Sequence, residues 1–503
     1  MKKLLYIFLL VIIGTSFEAC KPEFESPIGE GTYTSGDADF SKFVAVGNSL
    51  TAGYTNGTLY KSGQANSFPS ILAKQMSLVG GGEFTQPYLD DDTNDVGGMN
   101  FSSNMILPQK LIINASAGGP ERINKAIGME VTNIHPGPYN NMGVPGAKIF
   151  HLVAPGYGNI SNLALGAANP YFIRMASAPN NTVIQDAAGQ SPTFFTLWIG
   201  NNDVLAYATS GGVGVDNNAT GNLFPSTYGF NDITNINVFA SVYSQILDEL
   251  TANGAKGVVA TLPDVASVPF FTTIPYNPIP MTDQATVDAI NNAYLTYNGG
   301  LQSALSAGLI TAAELAKRTI NFSLGANALV IKDEYLTDLS ILGLPSIRQA
   351  TDEDLVPLTA KSIIGHPVSG NPNLVYGITS PLDDQWVLTA DEIAEVRNAT
   401  AGFNQAIKDA AAAKDIPVAD MADVMEQMKN GIKIDDGSTY TADYFNGTNL
   451  DNLTFGLDGV HPNPRGYAII ANEFIDVINM KYKSNLPKVV PANYPTITIL
   501  PTN

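Results

Sequence analysis

Residues 43 to 54 read FVAVGNSLTAGY, an apolar run that breaks into Gly47, Asn48 and Ser49. The run has the length and β-branched character of a buried strand. Its end leaves a hydroxyl at a tight turn, where a nucleophile would stand exposed on the rim of a sheet.

The same pattern recurs along the chain. PTFFTLWIGNND, residues 192 to 203, is a second apolar strand that ends in a polar cluster. VFASVYSQILDELTANGAKGVVATLPDV and AEVRNATAGFNQAIKDAAAAKDIPVADM each read as an amphipathic helix, a turn and a further strand. SFPSILAKQMSLV and NPRGYAIIANEFIDVINMKY have helical spacing. Wholly apolar strands separated by amphipathic helices predict a parallel sheet covered on both faces, with ligands at the carboxyl ends of its strands. Ser49 and Asn202 both fall at such ends.

A serine hydroxyl needs a base to become a nucleophile. The chain has four histidines. His461 stands in GLDGVHPNPRGY, three residues after Asp458. Three extended residues span at most about 10 Å, and a turn through Gly459 shortens that, so Asp458 can hold one imidazole nitrogen and leave the other as base. NMGVPGAKI offers Gly146 on a tight backbone and GNND offers the Asn202 amide, both suited to holding an oxyanion.

Four motifs in this order, VGNSL, NMGVPGA, GNND and DGVH, resemble the GDSL-type, or SGNH, serine hydrolases. The resemblance implies a flavodoxin-like three-layer α/β/α fold with a central parallel sheet, and esterase or acylhydrolase activity without a cofactor or metal. It implies Ser49 as nucleophile and Asp458 and His461 as the rest of the triad. The amides of Ser49 and Gly146 and the side chain of Asn202 form the oxyanion hole, with Asn202 matching in preference to Asn201 and Gly146 in preference to Gly143. One residue departs from the family pattern: Asn48 stands where its name has Asp. No serine lies in Gly-x-Ser-x-Gly, which disfavours an α/β-hydrolase.

The interval from 202 to 458 is long for such a core, and residues from about 270 to 385 read as an inserted cap. Its opening, VPFFTTIPYNPIPMT, follows a strand directly, which makes Phe270, Phe271 and Tyr276 candidates to line the substrate site. His135 precedes the oxyanion glycine and is a further candidate. NALVIKDEYLTDLS, 327 to 340, reads as a strand or hairpin of the cap. YLDDDTNDVGG, 88 to 98, is rich in oxygen ligands but does not match an EF-hand loop and reads as surface.

The N-terminus carries two lysines, an apolar run from Leu4 to Ile13, and Cys20, the single cysteine. This fits an exported chain whose signal, 1 to 20, resembles that of bacterial lipoproteins, with Cys20 lipidated and 21 to 38 as tether. The hydrolase domain then covers 39 to 503, held to the outer membrane on its periplasmic or cell-surface side by the lipid. A formal net charge of −20 argues against a nucleic-acid partner, which requires a basic face. The expected partner is an ester, either a lipid or an acylated glycan. Two other readings of the same motifs stay open: a non-catalytic glycan-binding lipoprotein, and an acyltransferase that uses a sugar alcohol in place of water.

Overall fold

The computed structural model describes residues 33–89, 95–114, 119–434 and 437–500. The proposed signal and Cys20 lie outside the described residues, as do most of the tether and the middle of the 88–98 loop. No helix among the described residues is long and apolar enough to cross a membrane.

Five parallel strands form the central sheet: β1 (Phe43–Gly47), β2 (Asn141–Gly143), β3 (Phe194–Trp198), β4 (Lys256–Ala260) and β5 (Val418–Ala419), in the spatial order β5-β4-β3-β1-β2. β1 and β3 are buried along their whole length, which explains why they read as unbroken apolar runs: both faces are covered. β2 was not legible as a strand, because three residues, Asn-Met-Gly, carry no periodicity.

Eight helices matter for the account: α1 (Ser49–Ala52), α2 (Phe68–Ser77), α3 (Asn202–Thr209), α4 (Ile236–Thr251), α5 (Gln284–Ser306), α6 (Ala390–Ala412), α7 (Met421–Asn430) and α8 (Pro464–Tyr482). α2 and α8 pack through Phe68 stacked on Phe474, with ring centroids 4.8 Å apart. Trp198 of β3 meets both rings edge-on, and Phe194, two pleats earlier on the same face, meets Tyr482. α4 and α6 form the second pair, with Phe239 stacked on Phe403 at 4.3 Å. Helices thus flank the sheet in a mixed α/β arrangement compatible with three layers. Each of these fully buried rings contributes roughly 1.5–3 kcal/mol of apolar burial.

A second cluster of buried side chains, drawn from Ile279 to Val387, is separate from the core around the sheet. Within it α5 supports two antiparallel ladders: Ile279–Met281 with Gly325–Asn327, and Val330–Lys332 with Ile347–Gln349. Arg348 is its polar centre, 2.6 Å from Asp333 and 2.5 Å from Asp354, with all three side chains buried.

Register decides where the functional segments emerge. Gly47 pairs with Gly143 on one side and Trp198 on the other, so β1, β2 and β3 end level. The chain order reverses between β1 and β3, and ligands of open α/β sheets collect in the crevice at that point.

Candidate active site

Ser49 begins α1 two residues after β1 ends. Asn48 caps the helix: its side-chain Oδ1 accepts from the Leu50 amide at 3.0 Å, and its Nδ2 donates to Asn201 Oδ1 at 3.0 Å. Asn48 is fully buried. An amide at this position therefore ties the end of β1 to the end of β3, which a carboxylate could not do as a donor.

His461 arrives from the far end of the chain. Its Nε2 lies 2.9 Å from Ser49 Oγ, across 412 residues of sequence. Gly459 makes this possible: its φ of +70° turns the chain so that Asp458 Oδ1 accepts from the amides of Val460 and His461, at 2.9 and 2.8 Å. Asp458 Oδ2 faces His461 Nδ1 at 3.3 Å and accepts from the Gly57 amide at 2.6 Å. The turn after Ser49 and the turn before His461 are further joined by Leu457 N–H donating to Asn56 Oδ1 at 2.9 Å. Burial pushes the Asp458 carboxyl up, but the adjoining imidazole and its hydrogen bonds outweigh this and hold it below 3.8. The acid is thus ionised where it can orient the imidazole.

The oxyanion candidates converge from two strand ends. Gly146 follows β2 with φ +81°, a conformation that L side chains rarely adopt, and its turn is held from both sides. Asn169 Nδ2 donates to Pro145 O at 2.8 Å, and Asn202 Nδ2 donates to Ala147 O at 2.9 Å. That bond uses one of the two Asn202 amide hydrogens and leaves the second as a fixed donor. Among the described residues neither the Ser49 nor the Gly146 amide donates to another backbone carbonyl.

Ser49, Asn202 and His461 line one narrow cavity of about 60 Å³. Its far wall is apolar: Met421, Met425 and Met428 from one face of α7, with Trp198, Val265 and Val268. A wider groove of about 500 Å³ opens on the other side of His461, lined by Tyr54, Arg122, Phe270, Lys361 and Tyr444. The Tyr54 ring packs on the imidazole, with centroids 4.5 Å apart.

The other expected lining residues separate. Phe270 lines the groove, and its amide donates to Gly459 O at 2.8 Å, which fastens it to the turn that carries His461. Phe271 points into the main core and is 1% exposed, because successive residues of a helical turn face different ways. Tyr276 packs on the second core, and its carbonyl accepts from Leu329 N–H. His135 is exposed and lines neither cavity. His151 is structural: it accepts from the Lys148 amide and stacks on Tyr157, and burial together with the Lys148 ammonium pushes it down to about 4.

The Met421, Met425 and Met428 stripe escaped the sequence reading, although its i, i+4, i+7 spacing is visible in MADVMEQMKN. Arg122, Lys361 and Tyr444 carried no such signal, being single residues on a short strand, a 3-10 turn and a loop. The carboxylates of Glu334, Asp384 and Glu392, which no motif connects, lie outside both cavities. No family model matches the chain, and neither a curated protein nor a solved structure matches it.

Proposed function

We propose that the chain is a serine esterase of the GDSL, or SGNH, type, acting on acyl esters through Ser49, His461 and Asp458. The observation that carries this is the 2.9 Å contact of Ser49 Oγ with His461 Nε2, backed by Asp458 and opening on an apolar cavity. The strand order 2-1-3-4-5, that of flavodoxin-like sheets, supports the family reading, with the serine at the switch point.

In this mechanism His461 Nε2 takes the Ser49 proton as Oγ attacks the ester carbonyl carbon. The negative oxygen is held by the amides of Ser49 and Gly146 and by Asn202 Nδ2. The C–O bond to the alcohol breaks and His461 returns the proton to the departing oxygen. Water, deprotonated by His461, then attacks the acyl-enzyme and releases the acid.

The methionine-lined cavity suits an apolar acyl chain, since Met side chains adapt to irregular apolar shapes. The groove beside His461 is where the alcohol would leave. A groove of that width also has room for an acceptor alcohol, so transfer to a sugar hydroxyl is the second reading. Export and lipid anchoring through Cys20 belong to the same proposal.

Hydrolysis of p-nitrophenyl esters from acetate to long acyl chains tests it, with Ser49→Ala as control. Turnover that rises with acyl length and vanishes in the variant supports the reading. A folded protein that turns over none of the series, or equal rates from both proteins, rejects it. Product analysis with an added glycan acceptor separates transfer from hydrolysis.

A further inference from the structure

We propose that Glu334, Asp384 and Glu392 form a calcium site that fastens the segment bearing the second core to the first turn of α6. Carboxylate oxygens of all three lie within 4.8 Å of one another. Two of the residues come from the 279–387 segment, and the third is the N3 residue of the capping box that begins α6.

Acidic clusters are ordinarily solvated; here Glu334 is exposed and Asp384 half-buried, but the third member is withdrawn from water. Glu392 is fully buried. Its Oε2 accepts from the amide and hydroxyl of Thr389, at 2.6 and 2.8 Å, as a capping-box carboxylate does. Its Oε1 is buried with no hydrogen-bond partner, and so is Asp384 Oδ1. A buried carboxylate oxygen left bare costs free energy that a cation would recover.

The surrounding cations are committed elsewhere. Lys332 pairs with Asp383 at 2.5 Å, while Lys317 and Arg348 pair with Asp333. Among the described residues none of the three carboxylates forms an ion pair. Glu334 and Asp384 are in side-chain contact, which two ionised carboxylates sustain only through a shared proton or cation.

The backbone leaves room for the cluster. Gly211 and Gly212, with φ of +67° and +79°, lay the chain after α3 against Asp384 and Glu392, and a Cβ at Gly212 would collide with Glu392 Oε1. Three carboxylates supply three to six oxygens, and exposed Glu334 leaves a side through which water completes a shell of about six to eight, which suits calcium better than the strict octahedron of magnesium.

Calorimetric titration of EDTA-stripped protein with calcium chloride tests the site, alongside thermal unfolding with calcium or EDTA. One calcium should bind per chain with a dissociation constant of about 1 mM or lower. At about 100-fold excess over that constant, Tm should rise by about 3 °C. Glu334→Gln and Asp384→Asn, at exposed and half-buried positions, should keep the wild-type far-UV spectrum and lose both the heat and the Tm response. Absence of heat and of any shift in the wild type up to about 10 mM calcium, well above the weakest calcium modules, overturns the proposal. An undiminished response in both variants overturns it equally, because the ion would then bind elsewhere.

Discussion

Replacing Asn202 by alanine removes one donor from the proposed oxyanion hole and little else. Its Nδ2 bond to Ala147 O is half-buried and worth about 1 kcal/mol to the fold. The Gly146 turn keeps its second brace, Asn169 to Pro145 O. Spread over a chain of 503 residues, a loss of about 1 kcal/mol lowers Tm by only about 1 °C, so the variant stays folded at assay temperature. The effect on chemistry is larger, because the free amide hydrogen acts on charge that develops only in the transition state. One such donor contributes about 2.7–4 kcal/mol, which lowers kcat by about 10²–10³-fold with KM nearly unchanged. Steady-state kinetics on a soluble p-nitrophenyl ester, beside far-UV spectra of both proteins, measures this. A variant with full kcat would refute the placing of Asn202. A fall confined to KM would show that Asn202 binds substrate and transition state alike.

Asp458→Asn should reduce kcat by about 10⁴-fold, since an amide in place of the acid favours the wrong imidazole tautomer; ester kinetics read this directly. The same variant reports on stability against pH. The folded carboxyl titrates below its unfolded value of 3.8, so it contributes stability above that value and loses it as pH falls through the lower one. Denaturant unfolding at descending acid pH should therefore fall more steeply for the wild type than for the variant. Met425→Trp should narrow the acyl cavity, lowering kcat/KM for long-chain esters while acetate is unaffected; equal losses across the series would place the acyl chain elsewhere. Arg348→Ala leaves Asp333 and Asp354 buried without their shared partner and should cost about 3–5 kcal/mol in thermal or denaturant unfolding.

The sheet was legible where strands are buried on both faces. β1 and β3 read as apolar runs because no side chain of either reaches water. β2 and β5, at the two edges, contribute three and two residues and could be recognised only by what surrounds them. Ser49, Asp458 and His461 were legible because a local turn and a strand end constrain them. Their meeting was legible only through the family resemblance, since it depends on positions 412 apart in sequence folding together. Phe271 and Tyr276 show the limit of reading an aromatic run: composition placed them on the rim, and packing sent one to each core. The carboxylate cluster was invisible because Glu334, Asp384 and Glu392 become neighbours only through the docking of the second core.

Reaction with a fluorophosphonate probe, followed by mass mapping of the adduct, tests the central claim most directly. The account predicts a single adduct on Ser49, formed in the wild type and lost in His461→Ala while that variant remains folded. An adduct on another serine, or labelling of Ser49 that proceeds equally without His461, would contradict it.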